Sequence, residues 1–214
     1  MLKFEVIPVT QFAQNCSLIW CDETNQAALI DPGGEAEKLL AAIARRGLTL
    51  THILLTHGHL DHVGAAAELR EKTGVAITGP HKEDAFWLDM LPQQSQMFGF
   101  AHTPAFCPDQ WLEQGDKVQL GHCELEVYFC PGHTPGHIVL LCQAERLAWV
   151  GDVLFAGSIG RTDFPRGDHA TLIRSITETL LPLGDDIVFV PGHGPSSTLG
   201  RERVSNPYLT QPIW

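Results

Sequence analysis

Thr56-His57-Gly58-His59-Leu60-Asp61-His62 is the stretch on which the reading of this chain turns. Three histidines and an aspartate fall within six residues, directly after the apolar run His52-Ile53-Leu54-Leu55 and just before Val63, Ala66 and Ala67. The apolar run reads as a short buried strand, and the residues after it as the start of a helix. Taken singly, Asp61 would serve as a helix N-cap and each histidine as an ordinary polar residue. No capping or packing role demands all four together, whereas neutral imidazoles and a carboxylate at this spacing form a metal-ligand set.

The same arrangement, an apolar strand emptying into a glycine-bearing turn with a metal-type ligand, recurs further along. His133 follows Cys130-Pro131-Gly132, Asp152 follows Val150-Gly151, and His193 follows Pro191-Gly192. In layered α/β proteins, sites gather in the loops beyond strand ends, where a rigid sheet fixes them. Five histidines and two aspartates are therefore expected at one sheet edge. His57, His59 and His133 suit one ion, Asp61, His62 and His193 a neighbouring one, and the two oxygens of Asp152 suit a bridge. With no thiolate among them, zinc, Fe(II) or Mn(II) fits the set, as one or two divalent ions. Such an ion lowers the pKa of a shared water from 15.7 toward about 7. The other histidines, His52, His81, His102, His122, His137 and His169, read as structural, with His137, four residues after His133, the first candidate among them for supporting a ligand.

The rest of the chain supplies the layers. Phe4–Ile7, Ser17–Trp20 and Ala27–Ile30 read as strands, and Asp31-Pro32-Gly33-Gly34 as a forced turn. Ala36, Leu39, Leu40 and Ile43 then line one face of a helix ending near Gly47. Strands are expected at 124–128, 138–141, 147–150 and 187–190, and a helix through Leu172, Ile176 and Leu180. Between residues 81 and 114 a helix gives way to a long aromatic excursion, Phe86 to Trp111, read mainly as cover for the core. There is no repeat or linker, so residues 1–214 read as a single domain.

Composition narrows the function. With 14 Lys and Arg against 25 Asp and Glu, the net charge is −11. That disfavours a nucleic-acid partner, which needs a basic face. No apolar run reaches the length of a membrane span, and residues 1–5 do not open an export signal. The six cysteines, Cys16, Cys21, Cys107, Cys123, Cys130 and Cys142, contain no Cys-x-x-Cys pair and read as reduced thiols of a cytoplasmic protein. Oligomeric state leaves no mark in the sequence.

The segment 56–62 resembles the His-x-His-x-Asp-His signature of the metallo-β-lactamase superfamily. Gly132-His133-Thr134-Pro135-Gly136-His137, Gly151-Asp152 and Pro191-Gly192-His193-Gly194 match its remaining ligand motifs in the same order. The resemblance covers nearly the whole chain. It implies an α/β fold of four layers, αββα: two mixed sheets packed face to face with helices outside and the metals at one edge.

Within that superfamily the chain is similar to the glyoxalase II group, the hydroxyacylglutathione hydrolases. The paired ligand triads, the bridging Asp152 and the run Gly151 to Arg161 carry this likeness. It implies hydrolysis of the small-molecule thioester S-D-lactoylglutathione to D-lactate and glutathione. Asp61 would then also orient the attacking water or take its proton as a catalytic residue. Two departures stand out. The chain stops at Trp214, where two-domain members continue into a helical domain that contacts glutathione carboxylates, so a short form is expected. Where the group has a basic residue and then a tyrosine, this chain has Arg161 and then Asp163, and Arg161 is the candidate for gripping a substrate carboxylate.

Two alternatives belong to the same scaffold. The loop Gly160-Arg161-Thr162-Asp163-Phe164 also resembles persulfide dioxygenases, which hold one Fe(II) through two histidines and an aspartate, here His57, His133 and Asp152. Lactones and β-lactams are the other substrates the motifs permit. A non-catalytic metal module fits less well, because structural zinc sites are closed, four-ligand and usually cysteine-bearing.

Overall fold

A computed structural model describes residues 1–210. The first sheet is built from β1 (Leu2–Val9), β2 (Gln14–Cys21), β3 (Gln26–Ile30), β4 (Thr49–Leu54) and β5 (Ile77–Thr78), in that spatial order. β1 to β3 pair antiparallel as hairpins, and β3, β4 and β5 pair parallel. The change of direction comes where α1 (Ala36–Arg45) crosses over between β3 and β4.

The second sheet runs β13 (Ser197–Thr198), β12 (Val188–Pro191), β9 (Leu147–Gly151), β8 (Ile138–Cys142), β7 (Cys123–Phe129) and β6 (Lys117–Leu120). Only β12 and β9 are parallel. A small hairpin, β10 (Leu154–Phe155) with β11 (Ser158–Ile159), stands beside it.

The layering follows from side-chain alternation. On β3, Ala27 and Leu29 join Leu39 and Ile43 of α1 in an outer core, while Ala28 and Ile30 face Val127 and Leu140 of the second sheet. On β8, Ile138 and Leu140 face the first sheet, and Val139 and Leu141 pack outward against Leu172 and Ile176. A strand whose residues are apolar at every position, as β8 and β9 are, has both faces covered. Three apolar seams between four layers give the mixed αββα sandwich expected.

Helices cover the outer faces. On the first sheet these are α1, α2 (Leu60–Val63), α3 (Ala66–Thr73), α4 (Ala85–Asp89) and α5 (Leu91–Phe98). On the second, α6 (His169–Arg174) runs on into a π-helical stretch, Ser175–Leu180, and α7 (Leu199–Ser205) precedes the single turn α8 (Pro207–Thr210). The helix expected after the histidine cluster is two helices, broken around Gly64, whose close approach to the Gly33 carbonyl leaves no room for a side chain. Among the described residues no helix is long and apolar enough to cross a membrane.

Candidate metal centre

The ligand-type side chains arrive from four strand ends at one edge of the sandwich. β4 of the first sheet delivers the 57–62 turn; β7, β9 and β12 of the second deliver His133, Asp152 and His193. All seven expected side chains come together. His57, His59 and His133 form one triad and Asp61, His62 and His193 another, each with its ligand atoms within 4.8 Å of one another. Asp152 stands between them, Oδ1 3.4 Å from His62 Nε2, and Oδ2 3.6 Å from His133 Nε2 and 3.8 Å from His193 Nε2. His59 Nδ1 lies 3.0 Å from His133 Nε2, and Asp61 Oδ2 3.0 Å from His193 Nε2.

Hydrogen bonds behind the cluster turn free lone pairs inward. His133 Nδ1 donates to the Arg161 carbonyl (2.7 Å) and His62 Nδ1 to Asp31 Oδ2 (2.8 Å). His57 Nδ1 faces Thr56 Oγ1 at 3.0 Å, and that hydroxyl donates to Asp31. His193 Nδ1 reaches the Phe12 carbonyl at 3.3 Å. The inward atoms His57 Nε2, His62 Nε2 and Asp152 Oδ1 are buried without a hydrogen-bond partner. Orphaned acceptors are costly unless something fills the space they face. Gly192 lines the same space, where a Cβ would overlap the Asp152 carboxylate and the His62 ring. The donor set, its orientation and its orphaned atoms fit divalent metal ions.

The two triads differ electrostatically. Burial pushes His57 and His59 well below the usual imidazole range, with charge on His62 and His133 respectively adding to it, and burial lowers His133. Burial alone would lower His62 too, but the Asp152 and Asp61 carboxylates outweigh it and hold His62 well above its usual value. His193 is raised in the same way, its hydrogen bond to Asp61 overcoming burial. Burial works against the charge on Asp152, yet the neighbouring His62 keeps that carboxyl well below its ordinary range.

Two carboxylates outside the cluster escaped the sequence reading. Asp31, taken as a turn residue, accepts Thr56 N (2.7 Å), Thr56 Oγ1 (2.6 Å) and His62 Nδ1. Asp84, from the aromatic excursion, is fully buried and ties the two loops of the histidine triad together. It accepts Gly58 N (2.8 Å), Thr134 Oγ1 (2.8 Å) and Gly136 N (2.6 Å), and burial lifts its pKa to about 6. His137 Nε2 accepts the Asp152 amide (3.0 Å) while its ring stacks on His57, centroids 4.5 Å apart. Asn15 of β2 closes the edge, its amide donating to Gly192 O (2.7 Å) and its Nδ2 to the Pro191 and Gly194 carbonyls (3.0 and 2.8 Å).

The cluster floors a cleft of about 360 Å³ walled by Phe12, Trp87, Phe98, Phe100, Phe155 and Phe164. The excursion thus has two uses: Phe106 and Trp111 cover the outer core as expected, whereas Trp87 and Phe98 wall the cleft. Arg161 stands at the rim, but Nε and Nη2 both bind Asp163 (2.7 and 2.6 Å) and the guanidinium lies 4.1 Å over the Phe164 ring. The residue expected to grip a substrate carboxylate therefore stands at the rim, paired with Asp163 across an exposed surface.

This fold and cluster define a metal-dependent hydrolase, and the chain belongs to the metallo-β-lactamase superfamily, whose family model matches residues 9–193. It is 54% identical over 209 residues to hydroxyacylglutathione hydrolase GloC of Haemophilus influenzae, spanning 97% of this chain and 98% of that protein. Among solved structures it is similar to the B3 metallo-β-lactamase BLEG-1, with a TM-score of 0.89 at 37% identity over 99% of this chain and 100% of that one. It is also similar to TTHA1623 in a di-iron-bound form, with a TM-score of 0.87 at 36% identity over 96% and 100% of the two chains.

Proposed function

We propose that the protein hydrolyses thioesters of the glyoxalase II type, converting S-D-lactoylglutathione and water to D-lactate and glutathione. The observation that carries this reading is the complete pair of ligand triads around Asp152 at the floor of one cleft. The likeness to GloC supports the thioester as substrate. The six free cysteines, five of them buried, support a reducing cytoplasmic setting.

In this reading His57, His59 and His133 hold one divalent ion, Asp61, His62 and His193 a second, and Asp152 serves both. Zinc, iron or manganese held there supplies Lewis acidity toward the carbonyl oxygen and a hydroxide nucleophile at neutral pH. Asp61, anchored by His193, orients the attacking water and takes its proton. Asp152 and the hydrogen bonds that the imidazoles donate to Thr56 Oγ1, Asp31 and the Arg161 carbonyl keep the imidazole lone pairs aimed at the floor. The aromatic walls exclude bulk water from the reacting carbonyl. A departing thiol, with a pKa near 8.5, needs no strong general acid.

The test is the loss of thioester absorbance with metal-loaded protein and S-D-lactoylglutathione. Chelation and His59→Ala should each abolish it. Thioester loss indifferent to chelator overturns the reading. So does oxygen consumption with glutathione persulfide in its place, because one-iron chemistry on His57, His133 and Asp152 gives the Asp61, His62 and His193 triad no task.

A further inference from the structure

We propose that the cleft selects its substrate through an apolar, aryl-bearing acyl group and leaves the charged ends of the thiol carrier in solvent. This rests on the thioester reading above and names the class within it. The acyl substituent is attached directly to the carbonyl that must sit over the ligand cluster, so it can reach only the rings nearest that cluster. Those rings are Trp87 and Phe164, whose centroids lie 4.5 and 5.2 Å from the His59 ring, and Phe155, 6.5 Å from His193 on the other side.

Edge-to-face contacts continue the wall outward, Phe164 to Phe98 (6.4 Å), Phe98 to Phe12 (6.1 Å) and Phe12 to Phe100 (5.2 Å). Such a surface favours a flat apolar group over a methyl group by burial and by ring–ring contact.

The carrier meets different surroundings. The glycine carboxylate of glutathione lies on the order of 7 Å from the sulfur, beyond the rings that meet the acyl group. Among the described residues Arg161 is the one arginine or lysine lining the cleft, and its Nε and Nη2 pair with Asp163 while its face lies over the Phe164 ring. With a net charge of −11 the protein offers no long-range attraction for a dicarboxylate either.

Isothermal titration of the metal-loaded protein with non-hydrolysable thioethers separates the two ends of the substrate. S-phenacyl-N-acetylcysteamine should bind about tenfold more tightly than S-acetonyl-N-acetylcysteamine. S-phenacylglutathione should bind within about threefold of its cysteamine counterpart. Phe164→Leu and Phe98→Ala, two substitutions at partly exposed rings, should each compress the phenacyl-to-acetonyl ratio below about threefold while the melting temperature shows both variants folded. Equal binding of the two acyl mimics, or a glutathione advantage above tenfold, overturns the proposal. Hydrolysis of S-mandeloylglutathione and S-D-lactoylglutathione is measured alongside. If neither is cleaved while the calorimetric preference stands, the thioester reading fails and the recognition assigned here survives.

Discussion

The two triads share one floor yet are built differently. His57, His59 and His133 are buried, uncharged in the metal-free protein and tied together from behind by Asp84, which grips the loops and touches none of the rings. Asp61, His62 and His193 carry a carboxylate, reach the surface through His193, and depend on Asp31 acting on the His62 ring itself. The first is a preformed neutral nest held by its backbone. The second is a charged arrangement, in which the Asp61 and Asp152 carboxylates hold the His62 imidazole above its usual range. Position is therefore the contribution of the first, and pH sensitivity that of the second.

The sharpest way to break this contrast is to remove one imidazole from each side. His59→Ala should lower kcat/KM for S-D-lactoylglutathione by about a thousandfold and His193→Ala by roughly thirtyfold to a hundredfold; equal losses would show the triads to be interchangeable.

Next come the supports. Asp84→Ala leaves three buried donors without an acceptor and should destabilise the metal-free protein by roughly 3–4 kcal/mol, seen as a lower midpoint in thermal or urea unfolding. An unchanged midpoint would remove Asp84 from the account. Asp31→Asn should weaken metal binding at the Asp61, His62 and His193 triad by roughly 10–100-fold and the histidine triad by less, since Asp31 reaches His57 only through Thr56, measured as metal content at limiting supply.

Protonation gives a smaller, graded effect. A raised imidazole keeps its proton to higher pH and competes with an ion there; a lowered one competes only in acid. Loading at pH 7 should thus release at least one proton per chain, and on acidification the Asp61, His62 and His193 triad should empty before the other. A dye-monitored titration with no proton release, or simultaneous emptying, contradicts the assignment. The smallest effect belongs to the rim: Arg161→Ala should change KM by less than about threefold, because its fork already serves Asp163.

How much of this was legible beforehand follows from the kinds of residue involved. The ligand-type residues showed themselves because five histidines and two aspartates stand after strand ends, four of those seven within six residues, where no packing role accounts for them. The layers were legible in the all-apolar runs of β8 and β9 and the alternation elsewhere. Asp31 was hidden by its setting, since an aspartate before Pro-Gly-Gly is what an ordinary turn requires. Asp84 was hidden by distance, its partners Gly58 and Thr134 lying 26 and 50 residues away. The cleft wall was hidden by degeneracy: an aromatic side chain has the same letter whether it covers a core, as Trp111 does, or faces a substrate, as Phe98 does. The same degeneracy concealed that Arg161 had a partner two residues on.

The stitch that Asn15 makes to residues 191, 192 and 194 has a mechanical consequence. It ties the first sheet to the second directly beside His193, while Asp61 stands on α2 just beyond β4 of the first sheet, so the stitch holds the spacing between these two side chains. Alignment of the halves of the molecule is gauged at that single spacing, and a lesion deep in the inter-sheet seam would announce itself first as a mis-seated ring at residue 193.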